Sequence, residues 1–282
     1  QGYIRQVTSL TTDLDNVSEQ LFALKTNGGQ EYAGQVISTA IDALEWSDNP
    51  ADMKLVIIAG NEPFTQGPVN FRTACEQAQN KGILIDTIHC GDAQTGIDTK
   101  WKAGADCGGG IYMTIDQDEK SVFIPSPYDD DILKLNQKLN KTYYGYGVQG
   151  QLNMERQAVQ DSNAASMGVS SSIARAKTKS SAQYNNSTWD LVDAYRKDET
   201  SILEMEEDQL PEELKGKSPE ERAAFIEGKM NERDLIAAEI AKLEGLRGDF
   251  VAEKRSEMAD AQTLEQVVVS AVKRQAESKG YK

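Results

Sequence analysis

One histidine, three cysteines and a few clustered carboxylates are the residues of this 282-residue chain with the most reactive chemistry. A Ser-His-Asp or Cys-His nucleophilic site would have to use His89, the single histidine. It stands in Ile88-His89-Cys90-Gly91, at the end of an apolar run, where a structural role is the expected one. Cys75, Cys90 and Cys107 show no Cys-x-x-Cys spacing and cannot all pair within the chain. They read as small buried hydrophobes, with one disulfide as the lesser alternative. Asp13/Asp15 and Asp129/Asp130/Asp131 could be proposed as acid–base groups. They fall at predicted helix starts, where carboxylates complement the helix dipole. Cys107-Gly108-Gly109-Gly110 lacks a following Lys-Ser/Thr and is not a phosphate-binding loop. The sequence therefore reads as non-enzymatic.

The formal charge of −15 narrows the partners. Such a surface repels phosphate backbones and anionic membranes, so no nucleic acid is expected. No stretch of apolar residues is long enough for a transmembrane helix. A protein partner or self-association remains.

The elements that must position these residues alternate between strand and helix. Tyr3 to Leu10 reads as a short strand and Asp15 to Leu24 as a helix with Val17, Leu21 and Leu24 on its face. Tyr32 to Trp46 is a helix on Val36, Ile37, Ala40, Ile41 and Leu44. Leu55-Val56-Ile57-Ile58-Ala59 is a continuous apolar run closed by Gly60, and Ile83-Leu84-Ile85-Asp86-Thr87-Ile88 is a second run without alternation. They predict adjacent parallel strands buried on both faces, neither at a sheet edge. Replacing Ile57 with Ala would then cost roughly 2–5 kcal/mol. Helices are expected at Phe71 to Asn80 and Thr99 to Ala105, and a third strand over Ile111 to Ile115. The fold class is α/β, a doubly wound and mostly parallel sheet, followed by an all-α extension.

Beyond Pro125 the pattern changes. Ser126-Pro127 opens a helix to about Tyr144, and residues 145–188, rich in Gly, Ser, Ala, Asn and Gln, read as an irregular connection. Trp189, Leu191 and Val192 fall in a short docking helix. Asp198 to Glu213 holds eight acidic residues and no basic one, the composition of a solvated, partly disordered stretch. Ser218-Pro219-Glu220-Glu221 predicts a capped helix start. Ile226, Met230, Ile236, Ile240, Leu243, Leu246 and Phe250 form a seam expected to pack on a helix beginning near Leu264, or on the same seam of a second molecule. The expected division is 1–145 α/β domain, 146–197 connection, 198–282 helical tail.

The order of elements in residues 3–140 resembles a von Willebrand factor A domain. The resemblance rests on Gly28-Gly29-Gln30-Glu31-Tyr32-Ala33-Gly34, on Leu55 to Ala59 with the loop Gly60-Asn61-Glu62-Pro63-Phe64-Thr65-Gln66-Gly67-Pro68, on Gly82 to Gly91, and on Gly109-Gly110-Ile111-Tyr112. That loop is similar to one in bacterial proteins containing this domain. The resemblance implies a binding module whose ligand face comprises Gly29–Tyr32, Asn61–Gln66 and His89–Gln94, with Gln30, Glu31, Tyr32, Asn61, Glu62, Thr65 and Gln66 as its site residues.

Members of the family hold Mg²⁺ through an Asp-x-Ser-x-Ser loop, a Thr and a Thr-Asp-Gly turn. This sequence has no Asp-x-Ser-x-Ser before residue 28. Gln30 or Glu31 stands in place of the Thr, and Gly60-Asn61 in place of Asp-Gly. The resemblance thus implies a degenerate site, with Glu31, Asn61 and Glu62 as substitute oxygens for Mg²⁺ or Ca²⁺, or with Asn61 and Glu62 merely closing a turn. Gly2 to Val7 is similar to the third strand of the family's sheet, so the first strand, the first loop and a helix are expected to be missing, which would expose two inward-facing sheet edges. Either the missing piece lies outside this chain or a neighbouring molecule fills the gap by strand addition. The resemblance further implies a periplasmic or extracellular protein whose signal peptide preceded Gln1. Its expected role is protein or ligand binding with a helical spacer, the alternative being a self-assembling scaffold.

Overall fold

The computed structural model describes residues 4–25, 29–115, 123–258 and 264–281. The parts of the readings above that fall on residues 1–3 and on Gly28 lie outside them. The chain forms two compact units that interleave in sequence: residues 1–10, 25–122 and 260–282 in the first, 11–24 and 123–259 in the second. The three consecutive segments expected from composition are not the units the chain forms.

The first unit is a mixed α/β layer built on three parallel strands, β1 (Lys54–Gly60), β2 (Ile83–Cys90) and β3 (Gly109–Ile115), in the order β1-β2-β3. Each crossover carries helix, α3 (Phe71–Asn80) after β1, then α4 (Ala93–Asp98) and α5 (Trp101–Gly108) after β2. α2 (Ala33–Ala43) precedes β1, and α12 (Leu264–Ser278) is the last helix of the chain. One sheet face packs Val56, Ile58, Ile83 and Ile85 against Ile37 and Ile41 of α2, Phe71, Ala74 and Cys75 of α3, and Trp101 of α5. On the other face Ala271, Val267 and Val268 of α12 meet Ile88, Ile111, Met113 and Ile115. Beneath α12 the buried Asp86 carboxylate accepts from the Ile111 amide at 2.7 Å and from Gln275 Nε2 at 2.7 Å. These bonds sit where the β2–β3 register shifts between Ile85 and Thr87.

Three expectations change in this unit. Residues 4–10 form no strand: the Gln6 side-chain amide donates locally to the Thr8 carbonyl and to Ser9 Oγ. The helix expected at Thr99 to Ala105 is α5, which starts at Trp101 after Lys100, whose φ of 76° is left-handed, and a short helix not expected from the sequence, α4, precedes it. Cys75 and Cys107 are joined in a disulfide, because α3 and α5 lie side by side and bring their Cα atoms to 5.8 Å. Cys90 is in no disulfide and is half-buried. The bridge closes a 32-residue separation, which in the chain-entropy treatment stabilises the fold by roughly 3.5 kcal/mol. Replacing both Cys75 and Cys107 with Ser is expected to lower the unit's denaturation midpoint in urea, with no change in far-ultraviolet dichroism. Equal midpoints for the variant and the oxidised parent would show the bridge does not form.

The second unit is helical: α1 (Leu14–Phe22), α6 (Asp129–Asn140), α7 (Gly147–Met167), α8 (Val169–Lys179), α9 (Leu191–Lys197), α10 (Glu199–Leu203) and α11 (Pro219–Met258). Residues 145–188, expected to be irregular, are mostly α7 and α8. α7 lacks an apolar stripe because it buries Gly150, Gln157, Gln160 and Ala164. What holds it is polar. Asp161 of α7 pairs with Lys179 and Arg175 of α8, at 2.7 and 2.9 Å, and Arg175 also reaches Asp15 of α1 at 2.6 Å. Asp15 is the one buried residue of α1, while Leu21 and Leu24 are exposed, so the face read for that helix is not its packed face.

The acidic stretch 198–213 is folded, with Ile202 and Leu210 in a core shared with Leu191, Val192, Leu214 and Ile226. α11 begins as the sequence predicts: the Ser218 amide donates to Glu221 Oε2 and the Glu221 amide to Ser218 Oγ. It runs 40 residues, far beyond the usual 11–12. Ile236 and Ile240 pack on Leu139, Tyr143 and Trp189, and Leu243 on Ile132 and Ile173. Among the described residues these seam positions pack on α6, α8 and the segment before α9.

Candidate functional site

The two loops singled out in the sequence, before α2 and after β1, meet at the carboxyl ends of the strands. Glu31 Oε2 accepts from the backbone amides of Asn61 at 3.0 Å and Glu62 at 3.2 Å. The Glu31 amide donates in return to Gln66 Oε1 at 2.8 Å, and Gln66 Nε2 donates to Glu62 Oε2 at 3.2 Å. Trp101 Nε1 donates to the Glu62 carbonyl, and the Phe64 ring is buried edge-on against Phe71 and Trp101. Two glycines make this closeness possible. At Gly60 a Cβ would stand 1.9 Å from Glu31 Oε2, and at Gly67, with φ of 87°, 2.7 Å from the Tyr32 ring. Gln30 accepts from the Tyr32 hydroxyl at 2.7 Å. Thr65 is exposed beside them.

Glu31, Asn61, Glu62 and Gln66 thus come together as expected, but not as metal ligands. The Glu31 oxygen nearest the loop is committed to two amides, and Glu62 is tied to Gln66. Among the described residues no three His, Cys, Asp or Glu side chains are grouped to hold a metal ion. The family's Mg²⁺ or Ca²⁺ does not fit this arrangement, whose carboxylate closes a turn.

His89 lies under the same loops, buried, its ring 5.8 Å from that of Trp101 and close to Gly91 and Gly96. Burial pushes its imidazole below the usual range, against the pull of Asp92 and Glu31. Its Nδ1 makes no hydrogen bond among the described residues. Burial likewise pushes the Cys90 thiol up, with Glu31 adding to the effect, which favours the unreactive form.

At the opposite ends of the strands a groove is lined by Trp46, Lys54, Lys81 and Lys279. Lys81 and Lys54 donate to the carbonyls of Ile41 and Ser47, in the last turn of α2 and just beyond it, where a cation complements the helix dipole.

The largest departure from expectation is β1 itself. It pairs with β2 in parallel, as predicted, but is an edge strand: among the described residues nothing pairs with its other side. On the face holding Leu55, Ile57 and Ala59, Ile57 is 46% exposed and Ala59 is exposed. The expected two-sided burial holds for β2 and fails for β1, and Ile57→Ala costs well under the 2–5 kcal/mol of a buried site. The exposed edge is what sequence reasoning located only indirectly, through the family's first strand that it expected to be missing.

Comparison of the chain with family models, with curated proteins and with solved structures yields no match.

Proposed function

We propose that this chain is a protein-binding module of the von Willebrand factor A type, whose α/β unit accepts an added strand along β1 while the helical unit serves as spacer. One observation carries the reading, the bare apolar edge of β1. Parallel sheets are ordinarily covered on both faces and flanked on both sides. Natural edge strands are blunted by charge, proline or a bulge. From Leu55 to Gly60 there is neither charge nor proline, and no bulge interrupts the β1–β2 register. An extended segment would gain main-chain hydrogen bonds there, and its side chains would meet Val56 and Ile58 on one face and Leu55 and Ile57 on the other. Helices on both faces of a parallel sheet support the doubly wound reading. The Cys75–Cys107 bridge supports a periplasmic or extracellular site, where disulfides persist.

The test is fluorescence anisotropy with a labelled, uncharged seven-residue Val/Thr peptide and nanomolar protein. Saturable binding is expected, lost in Ile57→Lys, which places a charge on the exposed edge without disturbing the core. Absence of binding, or equal binding by the variant, would sink the proposal.

A further inference from the structure

The sequence of the bare edge is complementary to itself. Consider two copies of Lys54–Gly60 laid antiparallel and centred on Ile57. Ile57 then faces Ile57, Leu55 faces Ala59, Val56 faces Ile58, and Lys54 faces Gly60. Every apolar side chain meets an apolar one, and Leu opposite Ala alternates large with small. This register is the one that uses all seven residues, and it opposes no like charges. Directly opposed residues in an antiparallel pair project on the same face, with strands about 4.8 Å apart.

Charge complementarity singles out the same arrangement. The Glu31 carboxylate stands over Gly60, on the face where a Cβ would project. Lys54 and Gly60 occupy the same face of β1, six residues apart. Centring on Ile57 therefore sets Lys54 of the second copy beside Glu31 of the first, and the reverse by symmetry. Among the described residues neither group has an ion pair: Lys54 Nζ donates to the Ser47 carbonyl, and Glu31 Oε2 accepts two amides. A twofold axis through Ile57 makes the interface isologous and closed, so pairing stops at two copies. The exposed Ile57 side chains then shield one another.

We propose that the β1 edge binds a second copy of this chain, giving a six-stranded sheet β3-β2-β1-β1-β2-β3 about a twofold axis at Ile57. This rests on the reading of β1 as a strand-accepting edge and names the strand it accepts.

The experiment is cysteine cross-linking in the full chain, with Cys90 replaced by Ser and the native disulfide left intact. Under mild oxidation Ile57→Cys is expected to give a covalent dimer in high yield, because residue 57 faces itself. Ala59→Cys is expected to give little, because two copies of residue 59 lie about four residues apart along the strands, roughly 13 Å. Sedimentation velocity of the chain carrying neither edge cysteine should show a concentration-dependent dimer that Lys54→Glu weakens at least tenfold and Ile57→Lys abolishes. Equal cross-linking at both positions, or a monomer throughout, overturns the self-pairing. A monomer that still binds the Val/Thr peptide would refute the second copy while leaving the strand-accepting edge intact. Loss of both would remove both.

Discussion

Replacing Arg233 with alanine is expected to destabilise the helical unit by roughly 3–5 kcal/mol, the range for removing one partner of a buried charged network. Arg233 projects from α11 into a site where every donor of its guanidinium is used. Nη1 reaches Asp190 at 2.6 Å and Asp193 at 2.9 Å. Nη2 reaches Asp190 at 3.1 Å and the Thr142 carbonyl, and Nε reaches Thr142 Oγ1 at 3.1 Å. The plane lies 4.0 Å from the Tyr143 ring centroid. The two aspartates are themselves structural. Asp190 accepts from the amides of Tyr144 and Asp193, and Asp193 from that of Asn186, so one guanidinium fixes the segment that leads into α9. Asp190 is fully buried, and burial already pushes its carboxyl up even with the arginine present. Without Arg233 the desolvated carboxylate has lost its main charge partner.

The pH dependence follows in sign. In Arg233→Ala the folded-state pKa of Asp190 rises further above its unfolded value, so the folded state binds the extra proton. Stability then falls as pH rises from the unfolded-state pKa through the raised folded-state one, and the variant's deficit narrows as pH is lowered. Thermal unfolding of parent and variant at pH 5 and pH 7.5 reads this directly. For a unit of this size the midpoint at pH 7.5 should drop by about 10 °C. Arg233→Lys should recover only part of the loss, because an ammonium cannot reproduce the planar fork. A variant within 2 °C of the parent at both pH values would show that the network contributes little.

Arg233 also shows what the sequence contained and what it concealed. It lies seven residues from Ile226 and seven from Ile240, squarely within the apolar seam, and a charge at that spacing is a legible sign of a buried partner. The partner is not legible, because Asp190 and Asp193 are 43 and 40 residues away and look like ordinary helix-start acids. Strand identity and parallel pairing of β1 and β2 were readable from runs without alternation. Edge against centre was not, since the wholly apolar Leu55–Ala59 lies at the edge while Ile83–Ile88, which carries the buried Asp86 and Thr87, lies in the centre, the reverse of what composition suggests. α7 and α8 escaped notice for a related reason: periodicity detects apolar stripes, and the buried side of α7 is glycine, glutamine and alanine held by ion pairs. The convergence of Glu31, Asn61, Glu62 and Gln66 was readable from their places at the carboxyl ends of neighbouring elements. Its chemistry was not, because whether a carboxylate faces a metal or two backbone amides depends on the turn of the loop after Gly60.

Ile240→Asp is expected to have the largest effect of any single substitution considered. Ile240 has no exposed surface and packs with Ile236 of its own helix, Leu139 and Tyr143 from the end of α6, and Tyr184 and Trp189 ahead of α9. Truncating such a side chain alone costs roughly 2–5 kcal/mol. A carboxylate in its place adds several more, whether by desolvation or by taking up a proton. The sum is comparable to the whole stability of an ordinary domain, roughly 5–15 kcal/mol. Because the seam packs on α6 and the segment before α9, the loss cannot be confined to α11. Hydrogen exchange followed by mass spectrometry should show α6, α9 and α11 losing protection together, with the amides of β2 in the other unit still slow. Dichroism at 222 nm should fall by more than the 40 residues of α11 would account for. Loss of protection in α11 with α6 unchanged would mean that the long helix is a separable tail after all, and that its seam turns to some other partner in solution.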